Sequence, residues 1–144
     1  RFRSWFERKP MNEHDFNSQI TDLVKLGQWD IAYHVFEQER YARRTLKGFP
    51  DWLLVKTLED GITITLAVEL KSEKGRLTAQ QIKCLELLNK TEGIYSFVWI
   101  PSQIDEIVVV LRARGLPDII EMWKRHALFA KDRFGLSLAT QQKG

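Results

Sequence analysis

Residues 48–71 read GFPDWLLVKTLEDGITITLAVELK, and this stretch decides the fold. It consists of two apolar runs on either side of residues 59–61 (EDG), in which Asp-Gly is a strong signal for the turn of a β-hairpin. Each run contains charged residues at positions where a buried segment would normally be apolar. Asp51 opens the first run, and Glu69 and Lys71 close the second. Because buried charges are costly unless they are paired or bind a metal, the stretch predicts two adjacent strands with a polar cluster at one end.

The position of the turn sets the register of this hairpin. A turn centred on Asp60 places residues at equal separations from it opposite each other, as Asp51 and Glu69 are. Facing residues of an antiparallel pair have Cβ atoms roughly 4.5–5.5 Å apart. Glu69 and Lys71 are two apart on one strand and therefore share a face. The three side chains are expected to meet, either as a metal site or as an ordinary cross-strand salt bridge.

Hydrophobic periodicity predicts the elements around the hairpin. The predicted helices span about 12–27, 78–92, 102–111 and 118–133. The predicted strands span 31–36, 51–57, 62–71 and 94–100. Three N-caps support the helices: Asn12 begins the first helix, Thr78 begins a capping box that Gln81 completes, and Ser102 begins the third helix. The order αβββαβ, with extra C-terminal helices, favours an α/β fold in which helices flank a mixed β-sheet.

Composition limits the class of protein. A length of 144 residues suits one domain, which we expect at 12–144, after a basic and aromatic arm at 1–11 and with a helical extension from about 116. The formal net charge of +3 is compatible with a nucleic-acid partner but does not require one. Cys84 is the single cysteine, so no intrachain disulfide forms. No apolar run approaches the roughly 18 residues of a membrane span, and no signal peptide is evident, so we expect an intracellular, cytoplasmic protein.

The polar cluster has the donor chemistry of a magnesium site. Mg²⁺ prefers carboxylate and carbonyl oxygens, which Asp51, Glu69 and the backbone carbonyl of Leu70 would supply. A bound Mg²⁺ ion supports phosphodiester hydrolysis. Lys71, on the same face, would orient the attacking water or stabilise the developing charge. Glu13, at the start of the first helix, would add a carboxylate directly or through a metal-bound water.

The fuller wording of these motifs resembles the VRR-NUC family of the PD-(D/E)XK nuclease superfamily. The resemblance is carried by residues 48–51 (GFPD), by residues 67–78 (AVELKSEKGRLT) and by Gln81, and it extends from about Asn12 to Leu111. It implies a PD-(D/E)XK restriction-endonuclease-like core and a Mg²⁺- or Mn²⁺-dependent DNA endonuclease. The catalytic residues that it implies are Glu13, Asp51, Glu69, Lys71 and Gln81. For Gln81, closing the capping box is an equally good interpretation.

Cationic residues lie close to the implied site on both sides. Arg43, Arg44 and Lys47 lead into Asp51, and Lys74 and Arg76 lie in the loop after the second strand of the hairpin. Cations around a scissile phosphate raise affinity in a salt-dependent way. We therefore expect these five cations to contact DNA, with a merely solvated loop as the alternative for Lys74 and Arg76.

The resemblance also implies partners and a setting. Stand-alone members are similar to phage or bacterial proteins, and the family includes structure-selective enzymes that act on branched DNA such as Holliday junctions, often as dimers. We therefore expect a DNA partner, branched DNA as one candidate substrate in DNA repair, a homodimer and no membrane. The last helix, with Trp123, Leu128 and Phe129, is the candidate dimer interface. Two alternatives remain: a non-catalytic DNA-binding or assembly module on the same fold, and a nuclease of plain duplex or single-stranded DNA.

Overall fold

The computed structural model describes residues 11–36 and 47–139. Within these ranges, and numbered in chain order, the helices are α1 (Glu13–Leu26), α2 (Ala79–Lys90), α3 (Ile104–Leu111) and α4 (Leu116–Phe134), and a 3-10 turn (Pro101–Gln103) precedes α3. The strands in the same ranges are β1 (Ile31–His34), β2 (Trp52–Thr57), β3 (Thr63–Leu70) and β4 (Ile94–Trp99). The predicted order αβββαβ with additional C-terminal helices is confirmed.

The four strands form one mixed sheet in the order β1-β2-β3-β4. The first three strands are antiparallel neighbours, while β3 and β4 are parallel and are joined by the α2 crossover. The pairs Trp52–Val68 and Thr57–Thr63 confirm the predicted register, whose centre is Asp60. Because the register holds to the end of the hairpin, Asp51 and Glu69 lie at the same end of the sheet.

Helices flank the sheet. The helix α2 packs on β3 and β4, and the Ser96 hydroxyl donates a hydrogen bond to the Leu85 carbonyl at 2.8 Å. The helix α1 packs against α3 through a buried stripe of Phe16, Ile20 and Val24, whose spacing puts them on one helix face. The helix α4 packs on α3 and β4.

Within the described residues, side chains rather than another strand close the outer edge of β4. In a parallel pair, alternate N–H groups of β4 point away from β3. Three side chains accept hydrogen bonds from these groups: Asn89 from Ser96 (3.1 Å), His126 from Val98 (3.0 Å) and Gln103 from Ile100 (3.1 Å). Asn89 also accepts a bond from the Trp123 indole at 3.1 Å. Burial lowers the pKa of His126 to about 3, so the ring is neutral and its Nε2 accepts.

Differences from the predicted element boundaries include the end of β1 and the start of the third helix. The strand β1 ends at His34, and Phe36 is 58% exposed beyond it. Its aromatic content suggested a longer strand, although β1 is an edge strand. The third helix begins with the 3-10 turn, and the Ser102 side chain makes no N-cap bond. Instead the Glu73 carboxylate accepts from the Ser102 N–H at 3.0 Å, so the helix start is stabilised from a distant loop.

The glycine at position 27 is required by packing. A Cβ there would lie 2.5 Å from the Leu111 carbonyl and 2.8 Å from the Trp29 indole nitrogen. That indole donates a hydrogen bond to the same carbonyl at 3.2 Å. The close approach fixes the end of α1 against the end of α3, while the next residue, Gln28, takes the positive φ of 57°.

Candidate active site

Asp51 enters the site from the residue just before β2. Its carbonyl accepts a hydrogen bond from the Val35 N–H at 2.8 Å, so the backbone of Asp51 is held by the chain that follows β1. Its carboxylate oxygen Oδ2 accepts from the Leu70 N–H at 2.8 Å. The Asp51 carboxylate therefore lies beside the backbone that separates Glu69 from Lys71, as the hairpin register predicts.

Glu69 is the buried acid of the cluster. It is 4% exposed, and its Oε2 lies 3.7 Å from the Lys71 Nζ, whose side chain is 17% exposed. The Gln81 amide donates a hydrogen bond to the same oxygen at 3.2 Å. Because a buried carboxylate is costly without polar partners, the cation and the amide stabilise Glu69 in its position at the end of β3.

Gln81 contributes to helix capping and to the site with one amide group. Its Oε1 accepts from the Thr78 N–H at 2.9 Å, and the Thr78 hydroxyl accepts from the Gln81 N–H at 3.1 Å, which completes the predicted capping box. Since the N–H of Thr78 requires an acceptor, this bond fixes which end of the amide is oxygen. The amide nitrogen is then directed at Glu69, so the two sequence interpretations describe one arrangement.

The loop after β3 packs directly on Lys71. The Gly75 N–H donates to the Ser72 carbonyl at 2.9 Å, which closes a turn. A Cβ at position 75 would lie 3.0 Å from the Lys71 Cβ. Lys74 and Arg76, on either side of this glycine, are exposed. Both predicted DNA contacts therefore lie at the rim of the cluster.

The segment that leads into Asp51 packs on the start of α2. Gly48 has a φ of 82°, and a Cβ there would lie 2.6 Å from the Gln80 carbonyl. The positive φ and the close approach both favour glycine. Lys47 precedes it and is exposed. The predicted DNA contacts Arg43 and Arg44 lie outside the described residues. Residues 1–10 of the predicted arm also lie outside them.

Glu13 is placed at the start of α1, as predicted, and it is exposed. Within residues 11–36 and 47–139, no hydrogen bond or ion pair joins it to Asp51, Glu69 or Lys71. In the same part of the chain, no three His, Cys, Asp or Glu residues form a group that could hold a metal ion. The arrangement described therefore consists of two carboxylates, one lysine and one amide.

Cys84 is a neighbour of the site that sequence reasoning did not include. It lies three residues after Gln81, on the same side of α2. Burial, and secondarily the charge of Glu69, raises the pKa of its thiol. A raised pKa keeps the thiol protonated, which makes Cys84 a poor nucleophile. The helical spacing from Gln81 was the signal that could have identified it.

A mixed sheet with this polar cluster at the end of its central hairpin has the architecture of a PD-(D/E)XK-like core. The family model described as VRR-NUC domain matches residues 3–98. The chain belongs to the VRR-NUC family. Its nuclease-related domain supports a DNA nuclease in general terms, and nuclease domains of this kind generally use divalent metal ions.

The matched span differs from the range over which the sequence resemblance was expected. It begins at residue 3 instead of about Asn12, and it ends at Val98, within β4, instead of at Leu111. The comparisons with curated proteins and with solved structures give no match. Among the described residues, no helix combines the length and the apolar character that crossing a bilayer requires.

Proposed function

We propose that the chain is a divalent-metal-dependent endonuclease that hydrolyses phosphodiester bonds in DNA. The observation that carries the proposal is the pairing of two carboxylates across β2 and β3 beside a lysine. Asp51 is bonded to the Leu70 N–H, and Glu69 is held between Lys71 and Gln81. Glu69 is 4% exposed, and a carboxylate buried to this extent is normally paired with polar groups or bound to a metal.

The residues present fit a hard divalent cation such as Mg²⁺ or Mn²⁺. Asp51, Glu69 and the Leu70 carbonyl would hold the ion, because all three offer hard oxygen donors. The N–H and C=O of one strand residue point to the same edge, so the Leu70 carbonyl faces the side on which its N–H meets Asp51. Glu13 would contribute a further carboxylate directly or through a water. When bound, the ion neutralises phosphate charge and activates a water.

The remaining residues of the cluster have distinct roles in this proposal. Lys71 Nζ lies 3.7 Å from Glu69 Oε2 and would stabilise the charge that develops on the phosphate. Gln81 acts on the carboxylate, because its amide keeps Glu69 Oε2 in one orientation. The proposed DNA contacts are Lys47, Lys74 and Arg76, together with Arg43 and Arg44 outside the described residues.

The test is a cleavage assay on end-labelled DNA with Mg²⁺, Mn²⁺, Ca²⁺ or EDTA. We expect cleavage with Mg²⁺ or Mn²⁺ and none with EDTA. Asp51→Asn and Lys71→Ala should each lower the rate by at least about a hundredfold, while binding in Ca²⁺ is retained. The matched control is Asp22→Asn, an exposed acid on α1, which should cleave as the wild type does.

Metal-dependent cleavage that survives Asp51→Asn would contradict the proposed site. Binding of DNA without cleavage under every metal condition would favour the non-catalytic module instead. The same assay on a four-way junction, a flap, a duplex and a single strand tests the further proposal of selectivity for branched DNA. Equal rates on all four would contradict that selectivity alone.

Homodimerisation is also part of the proposal, because a dimer can place two sites on opposed strands of a symmetric junction. The expected interface needs correction at Trp123, which is 0% exposed and packs on Tyr95 inside the protein. Leu128 is 73% exposed on the same helix and remains a candidate contact. Light scattering of the wild type and of Leu128→Asp tests this: a mass that does not change between them excludes Leu128 from the interface.

A further inference from the structure

A basic pocket lies beside the loop that follows β3. The described residues that line it are Arg76, Leu77, Arg133 and Phe134, and its volume is about 390 Å³. Two of these four side chains are cations and none is an acid. Arg76 belongs to the loop that packs on Lys71, whereas Arg133 belongs to the last turn of α4, outside the matched residues 3–98. The pocket therefore joins the family domain to the C-terminal extension.

Arg133 is held in place before any ligand binds. Its Nη2 donates a hydrogen bond to the Glu73 carbonyl at 2.8 Å, and its Cζ lies 4.8 Å from the centre of the Phe134 ring. A guanidinium carries five N–H donors in a planar fork, so this bond leaves most of its donors for a ligand. A stacked, oriented guanidinium also loses little freedom on binding a phosphate.

The loop that carries Arg76 is fixed from two sides. The Glu73 carboxylate accepts from the Ser102 N–H, and the Glu73 carbonyl accepts from Arg133. Gly75 packs on Lys71 and Arg76 is the next residue, so the backbone of Arg76 lies close to the proposed catalytic lysine.

We propose that Arg76 and Arg133 together bind one backbone phosphate of the DNA substrate, flanking the phosphate that is cleaved. This inference rests on the proposed nuclease function and gives α4 a role in substrate binding. Two guanidinium groups suit a phosphate because each can make paired N–H···O bonds. The ligand is a phosphodiester, so the contact is independent of base sequence.

The experiment measures DNA binding by the full chain in Ca²⁺ from about 50 to 200 mM salt. Arg133→Gln and Arg76→Gln should each weaken binding about tenfold, since each loses a hydrogen bond between charged groups. The double variant should bind only slightly more weakly than either single variant. Its slope of log K against log salt should become less steep by about the contribution of one phosphate contact. The control is Arg125→Gln, an exposed arginine on α4 that pairs with Glu121 and should bind as the wild type does.

A second comparison separates phosphate binding from a purely structural role. Glutamine and lysine can both donate to the Glu73 carbonyl, but only lysine keeps the positive charge. Arg133→Lys should therefore restore most of the affinity and of the salt slope that Arg133→Gln loses. If the two variants bind equally, Arg133 only supports the loop and the inference is wrong. Additive losses in the double variant would also overturn it, because they indicate two separate phosphates.

Failure of this inference differs from failure of the proposed function. If the wild type cleaves DNA with Mg²⁺ while Arg133→Gln keeps wild-type affinity and salt slope, only the phosphate site is refuted. If the wild type neither binds nor cleaves DNA, the nuclease proposal fails and the phosphate site fails with it. Arg76 is exposed in a loop, so its variant folds and provides a readout even if changes at Arg133 destabilise the protein.

Discussion

At the scale of single residues, Gln81 connects secondary structure to the site. The bond from the Thr78 N–H orients the amide, and the oriented amide then donates to Glu69. A residue chosen only as a helix cap would not need a buried acid opposite its nitrogen. The local capping box therefore also determines the position of a carboxylate in a different element.

This double role predicts that two variants with similar stability differ in activity. Thr78→Ala removes the N-cap and should lower the free energy of unfolding by about 1 kcal/mol, with cleavage nearly unchanged. Gln81→Leu should cost a similar amount of stability, because it too disrupts the capping box. It should also slow cleavage at least about tenfold, because a hydrogen bond to a charged group is lost. Urea unfolding and initial cleavage rates measure the two effects.

Equal cleavage rates for these two variants would mean that Gln81 acts only as a cap. Rates should be compared at a temperature where both variants are folded. The wild-type chain under the same conditions is the reference.

Among the elements, β4 depends on side chains from outside the sheet. Its outward N–H groups are buried, and a buried donor without an acceptor costs roughly 1–3 kcal/mol. Asn89 accepts hydrogen bonds from two buried donors, the outward N–H of Ser96 in β4 and the Trp123 indole of α4. It is 2% exposed although it is polar and lies near the end of α2. Its side chain thus joins α2, β4 and α4.

We expect Asn89→Ala to lower the free energy of unfolding by roughly 3 kcal/mol, because it leaves two buried donors without an acceptor. Gln80→Ala is the matched control, since Gln80 is an exposed amide on the same helix. Exposed substitutions of this kind usually change stability by less than about 0.5 kcal/mol. Chemical denaturation of the three proteins measures the difference. A loss below about 1 kcal/mol for Asn89→Ala would show that water replaces the amide.

The elements also show what the sequence could predict. The hairpin register followed from Asp60-Gly61 and from the two-residue period of strands, both of which are local signals. The capping box at Thr78 and Gln81 was equally local, whereas the expectation that Gln81 lies at the site came from the family resemblance. The predicted helix start at Glu13 was confirmed as well. Its position relative to the sheet was beyond prediction, because it depends on how α1 packs.

Features that connect distant parts of the chain carried no local signal. Glu73 supports the start of the third helix 29 residues later, and a nearby Ser102 was the better candidate by propensity alone. Trp123 was expected at an interface because apolar residues on a helix suit either a core or a partner. Its indole is bonded to a buried amide, and only the tertiary structure shows that contact.

At the scale of the whole molecule, His126 makes stability depend on pH. Its pKa is about 3 in the folded protein and close to 6.5 when unfolded. Between these values the unfolded chain binds a proton that the folded one does not. The contribution of His126 to the free energy of unfolding should therefore be fully present above about pH 6.5. It should decrease as the pH falls below that value, by up to about 1.4 kcal/mol per pH unit.

His126→Gln tests this dependence, because glutamine can accept from the Val98 N–H but does not titrate. Between pH 7.5 and pH 5 the wild type should lose about 2 kcal/mol through this group, and the variant should lack that component. His14→Gln is the control, since His14 is exposed on α1. Urea unfolding at both pH values gives the change in the free energy of unfolding for each of the three proteins. The same pH dependence in His126→Gln and in the wild type would contradict the assignment.

The closure of β4 also has a consequence for synthesis on the ribosome. His126 follows its partner Val98 by 28 residues, so the strand leaves the ribosome well before the side chain that protects it. At about 5–20 residues per second this interval lasts roughly 1–6 s. During that time the nascent chain presents an apolar strand edge, which is a template for pairing with other chains. Translation speed between these two positions should therefore influence the soluble yield of the protein.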